Sequence, residues 1–220
     1  GFAGDGIELV GGGNHLIEGN LIGLDAASTD QGNVGNGILI NNSSNNVIGG
    51  MSPPERNVIS GNNSDGIEIG GAAAVGNRVL GNLIGTDQAG LLDVGNTANG
   101  VLAGSGGTII GGANPGEGNL ISGNNGNAVE LSGTPATNNV VLGNRLGTDV
   151  SGALSLGNSG NGVFITSNSR SNLVGGILDG EANIIGFNAQ DGISVAAANA
   201  NTNNVFRGNS IFSNGDLGID

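Results

Sequence analysis

Residues 57–69 read NVISGNNSDGIEI, and residues 119–131 read NLISGNNGNAVEL, the same phrase 62 residues further on. Each phrase holds a short apolar run, a Gly-Asn corner, and a second run in which apolar residues alternate with a polar one. The corner marks a turn, and the alternation marks a half-buried strand.

Outward from this phrase, the Gly-apolar-x-apolar run recurs along the whole chain. It stands as GIEL (6–9), GILI (37–40), GIEI (66–69), GVLA (100–103), AVEL (128–131), GVFI (162–165) and GISV (192–195). Successive starts differ by 31, 29, 34, 28, 34 and 30 residues. A repeat of about 30 residues with short strands is the period of a solenoid coil. A second period overlies the first. GNLIGLD (19–25), GNLIGTD (81–87) and GNRLGTD (143–149) place Asn20, Asn82 and Asn144 at intervals of 62. The alternate coils carry NVIGG (46–50), TIIGG (108–112) and NLVGG (172–176). The duplicated unit is therefore a pair of coils. Three copies and a terminal coil (204–220) fill the chain.

Three apolar runs per coil, separated by polar corners, dictate three strands per turn. The fold expected is all-β: a right-handed single-stranded parallel β-helix of about seven coils, with strands of successive coils paired at ~4.8 Å. Residues 1–220 read as one such domain, a segment of a longer repeat protein. No run keeps a 3.6-residue period over ten residues, which excludes leucine-rich and helical solenoids.

Composition agrees. The 220 residues include 47 Gly and 35 Asn, but no Lys, Cys, Trp or Tyr. Gly and Asn tolerate the left-handed backbone that sharp corners need. Stacked Asn can also bond amide to amide along a ladder. Asn57, Asn119 and Asn183 form one such row, and Asn20, Asn82 and Asn144 another. A net charge of −13 with five scattered Arg excludes nucleic-acid binding. No apolar stretch is long enough to insert in a membrane.

The phrases NVISGNN, GNLIGTD and GNSIFSNGDLGID resemble the parallel β-helix repeats of large secreted bacterial proteins in the pectate-lyase-like superfamily. The resemblance spans the chain. It implies an extracellular or cell-surface location and a superfamily of lyases, hydrolases, tailspikes, adhesins and surface arms. Enzymes of that kind pair a Lys or Arg base, or a trio of Asp, with calcium. This chain lacks Lys, and Arg56, Arg78, Arg145, Arg170 and Arg207 occupy non-equivalent positions without obvious clustering.

Two rows are candidate sites. The outward position of the first strand reads Glu8, Leu39, Glu68, Leu102, Glu130, Phe164 and Ser194 down the stack. Carboxylates two coils apart lie ~9–10 Å from each other, near the widest spacing used by inverting glycosidases. The apolar residues between them could support a sugar ring. The same row also follows from copying a pair of coils. The second row is Asp25, Asp87 and Asp149 at the start of an acidic, Gly-rich loop. Its oxygens suit calcium, and equally suit capping of the loop's own turn. His15 stands alone, which excludes a zinc site and a hydrolase triad. Phe164, Phe187, Phe206 and Phe212 fall in the last two coils and read as local packing.

The expectation is a non-catalytic extracellular arm or surface-filament segment, with no resident cofactor and glycan contacts along the first row. Its partners would be a polysaccharide and, because neither end reads as a cap, a continuing or stacked solenoid. The alternative is a polysaccharide-active enzyme working through Glu8, Glu68 and Glu130.

Overall fold

The computed structural model describes residues 1–197 and 200–220. The chain winds as a parallel β-solenoid with three sheets of seven strands each. Sheet 1 holds Ile7–Val10, Ile38–Asn41, Ile67–Gly70, Val101–Ala103, Val129–Ser132, Val163–Thr166 and Ile193–Val195. Sheet 2 runs from Leu16–Ile17 to Val205–Phe206, and sheet 3 from Leu21–Ile22 to Ser210–Phe212. Seven strands per sheet make six turns between first and last. Every inter-coil pairing is parallel and in register, as in Ile7 with Ile38 and Ile38 with Ile67. The only helical element among the described residues is one 3₁₀ turn, Pro53–Glu55.

The strands are two to four residues long because each side of the coil is that short. Alternation then sends Ile38, Ile40, Ile67, Ile69, Ile121, Leu131 and their equivalents into one continuous core. β-Branched Ile fits this pleated, layered interior and supplies the apolar burial that aromatics provide elsewhere.

The corners are held by side chains. At the corner before sheet 3, Asn20, Asn57, Asn82, Asn119, Asn144, Asn183 and Asn209 bond rung to rung. The two Asn rows anticipated in the sequence are thus one interleaved ladder. Asn119 shows the pattern. Its Nδ2 donates to Asn144 Oδ1 (2.9 Å) and to the Val79 carbonyl (2.8 Å). Its Oδ1 accepts both the backbone N–H and the Nδ2 of Asn82 (2.9 and 3.1 Å). All four bonds of the amide are made, so a fully buried polar group costs little here. Rung spacing alternates between 37 or 39 and 25 or 26 residues. Even coils insert a loop before this corner (50–56, 112–118, 176–182), and odd coils insert theirs after sheet 3. A second ladder, from Asn33 through Asn62, Asn96, Asn124, Asn158 and Asn188 to Asn214, lines the opposite end of sheet 3.

A third ladder, before sheet 2, is interrupted. Asn46 bonds Asn77, and Asn172 bonds Asn204. Thr108 stands between the two halves. Its hydroxyl and the Nδ2 of Asn139 are buried without a partner.

One corner departs from the repeat in a coupled way. Phe187 holds a left-handed backbone (φ 62°) where the equivalent Gly61 and Gly123 have φ 75° and 76°. A Cβ at Gly61 or Gly123 would lie 2.5 or 2.6 Å from a carboxylate oxygen of Asp30 or Asp93. The third loop carries Ser155 at that place, as the paired bridges Leu24–Asp30, Thr86–Asp93 and Thr148–Ser155 show. The smaller Ser leaves room for Phe187, which packs edge-on against Phe212 at 5.4 Å.

Candidate functional site

The outward row on sheet 1 is real in register. Glu8 pairs with Leu39, Leu39 with Glu68, Glu68 with Leu102, Leu102 with Glu130, Glu130 with Phe164, and Phe164 with Ser194. Glu8 is exposed, while Leu39 through Phe164 are half-buried and Ser194 is buried. Two of the carboxylates are tied down: Asn36 Nδ2 donates to Glu68 (2.9 Å) and Asn127 Nδ2 to Glu130 (3.2 Å).

Those two Asn belong to a fourth ladder, at the corner that opens sheet 1. Its rungs are Asp5, Asn36, Asp65, Asn99, Asn127, Asn161 and Asp191, each Oδ1 accepting the backbone N–H of the next. Sequence reasoning passed over Asp65, although the recurring phrase Asp-Gly-Ile at residues 5–7, 65–67 and 191–193 marks the position. Burial pushes the Asp65 carboxyl up to about 6. The Asn99 N–H (2.7 Å) opposes that rise, and the charges of Glu68 and Glu130 add to it. A partly protonated Asp65 beside Glu68 is thus the one arrangement on this face suited to proton transfer. Its reach is limited, since Asp65 is only 6 % exposed. Further along the face, a hollow of about 370 Å³ lies between Asn127, Phe164, Asp191 and Ser194.

Asp25, Asp87 and Asp149 each cap their own loop. Asp25 Oδ1 accepts the N–H of Ala27 and Thr29, both at 2.9 Å. Asp87 Oδ1 accepts those of Leu91 and Leu92 (2.8 and 2.9 Å). Asp149 Oδ1 accepts the Ser151 hydroxyl (2.6 Å) and the N–H of Leu154 (3.1 Å). The Thr29 N–H holds the Asp25 carboxyl below the usual carboxylate range, and the Ser151 hydroxyl does so for Asp149. At Asp87 burial acts upward, but the N–H groups of Leu92 and Leu91 outweigh it and the net direction is down. Among the described residues, no three His, Asp or Glu converge as a cation would require. His15 is exposed, and its backbone N–H donates to Asn46 (3.0 Å) at the head of the third ladder.

The arginines are the one place where the expected scatter gives way. Arg78 faces Glu117 at 3.8 Å, the only ion pair among the described residues. Arg56 and Arg145, far apart in sequence, line one cavity on the outside of sheet 3. Among the described residues no helix is long and apolar enough to cross a membrane.

No family model matches this chain, and neither the curated proteins nor the solved structures contain a match. The class of protein is therefore defined by the fold itself: an Asn-laddered parallel β-solenoid.

Proposed function

We propose that the chain is a non-catalytic extracellular repeat arm, a rigid solenoid that presents a side face to a polysaccharide and stacks end to end with, or continues into, further solenoid. The observation that carries this reading is the ladder before sheet 3, which runs unbroken through seven coils with its rungs satisfied. Such a stack resists local opening, because each rung also bonds the backbone of its neighbours. The absence of Cys makes its integrity independent of redox state. The resemblance to repeats of secreted bacterial proteins supports the location. The hollow beside Phe164 suits a sugar ring, with the aromatic as its platform.

The enzyme reading has one observation in its favour, the raised Asp65 carboxyl next to Glu68. A panel of uronic-acid and neutral polysaccharides, assayed for product release with and without calcium, separates the two. The arm releases no product from any of them, and calcium makes no difference. Product release that disappears in Glu68→Gln, Glu130→Gln or Asp65→Asn overturns the reading.

A further inference from the structure

Copying a pair of coils accounts for every evenly spaced row on this molecule, so a residue that breaks its row asks for another explanation. Arg78 does so in the outward row of sheet 2, where it pairs with Glu117. Arg56 and Arg145 do so as well, and both line one cavity.

The outward row of sheet 3 pairs Leu21, Val58, Leu83 and Leu120 with one another, and then reaches Arg145 and Ile184. The loops of the odd coils fold over this row. Val58, Leu83 and Leu120 are buried there with Leu24, and Val94 packs against them. Arg145 interrupts this apolar strip. Its Nε is buried and has no acceptor. It lies under Gly152, where an added Cβ would be 3.2 Å away. Arg56 breaks a different row. The residue preceding each rung of the Asn20-to-Asn209 ladder is Gly in five coils and Ala182 in a sixth. Arg56 is the single long side chain in that corner, and its Nε donates to the Gly81 carbonyl (3.0 Å).

Both Arg line a cavity of about 330 Å³, walled by the loop Gly112–Gly116 and by Gly118, Gly143 and Gly180. No Asp or Glu lines it. Neither Arg has a carboxylate within ion-pair distance among the described residues, whereas Arg78 does. In a chain of net charge −13, two Arg without an ion-pair partner line one cavity, and a carboxylate next to its wall, Glu117, is engaged by the Asn114 N–H and by Arg78.

We propose that this cavity binds an oxyanion, the carboxylate, sulfate or phosphate group of a small ligand or of a sugar acid. A guanidinium offers forked donors that match such oxygens. The volume suits a free ion or one sugar-sized acid, at the small end of ligand sites. The net negative charge of the chain repels anions at long range, so binding here rests on these two groups. The site lies away from the sheet 1 carboxylates and stands or falls independently of the arm reading.

With five Arg and no Lys, the side-chain NMR spectrum holds five guanidinium Nε–H signals. Titration with sodium sulfate, sodium phosphate and sodium glucuronate, against sodium chloride at matched ionic strength, reads the site directly. The expected result is a saturable shift of the Arg56 and Arg145 signals with at least one of the three. The exposed Arg170 and Arg207 signals should move no further than in chloride. The ligand that saturates at the lowest concentration identifies the source of the oxyanion. Arg145→Gln should weaken saturation at Arg56 by roughly ten-fold, the loss of one charge-assisted contact, and Arg170→Gln should leave it unchanged. If Arg145→Gln does not fold, Arg56→Gln read at the Arg145 signal gives the same test. Linear shifts shared by all five signals, or no shift beyond that in chloride, overturn the proposal.

Discussion

The corner before sheet 3 and the corner before sheet 1 each carry a side-chain ladder, but the two run in opposite hydrogen-bond directions and differ at three rungs. The first carries Asn in all seven coils. The second replaces Asn with Asp at positions 5, 65 and 191. In the first ladder an Asn rung accepts from the coil before and donates to the coil after, and in the second the direction is reversed. An Asp rung still accepts, but has no amide hydrogen to pass on, and it brings a charge. The difference teaches that the first ladder is structural throughout, while the second is where the solenoid admits ionisable groups next to an outward carboxylate stripe.

The largest effect is expected from breaking the uniform ladder. Asn119→Ala removes the acceptor of the Asn82 backbone N–H and of one Asn82 Nδ2 hydrogen, and a donor to the Val79 carbonyl, in a dry interior. At 1–3 kcal/mol per orphaned group, a loss of about 3–5 kcal/mol is expected in urea denaturation. The exposed Asn63→Ala should change stability by less than about 0.5 kcal/mol. Asn119→Asp makes the uniform ladder resemble the mixed one at a more buried place. It should cost about 2–3 kcal/mol at neutral pH, since its carboxylate meets the Asn144 oxygen instead of donating to it. Because burial raises that carboxyl, the deficit should shrink as pH falls.

Asp65→Asn converts the mixed ladder toward the uniform one. The folded-state carboxyl of Asp65 lies at about 6 against an ordinary 3.8. The folded protein therefore binds this proton more tightly than the unfolded chain. The contribution of Asp65 to stability is greatest below about pH 4 and is lost as pH rises to about 6. Allowing for solvent screening, the neutral-pH gain in Asp65→Asn should be about 1 kcal/mol, read by thermal denaturation at pH 4 and pH 7. The difference between the two proteins should vanish at the lower pH. Asp25, Asp87 and Asp149 act with the opposite sign. Their lowered carboxyls stabilise the loops above pH 4 and lose that contribution as pH falls. The smallest effect is a repair. Thr108→Asn would supply the missing rung of the third ladder and should gain up to about 1 kcal/mol.

Much of this architecture can be read from sequence because the signal is periodic. The Gly-apolar-x-apolar phrase places every strand of sheet 1, and strict alternation places Glu8, Leu39, Glu68, Leu102, Glu130 and Phe164 in one outward row. The ladders were half-legible. Loops inserted on alternate sides of sheet 3 stagger the first rungs by 37 and 25 residues, so Asn20 and Asn57 do not look like neighbours. Asp65 was hidden for another reason. Its raised carboxyl comes chiefly from burial beneath adjacent coils, with the charge of Glu130 two coils away adding to that of nearby Glu68, and neither the burial nor Glu130 is local in sequence. Arg56 and Arg145 lie 89 residues apart, and only the stacking of coils brings both to one cavity.

Native-state hydrogen exchange tests the role of the uniform ladder most directly. The backbone N–H groups of Asn57, Asn82, Asn119 and Asn144 each donate to the side chain of the next rung rather than to a strand. If those rungs hold the solenoid together, the four amides exchange only by global unfolding, with the same free energy as the core strand amides of Ile59 and Ile121. Exchange as fast as that of the exposed Ala26 amide, while the strands stay protected, would contradict it.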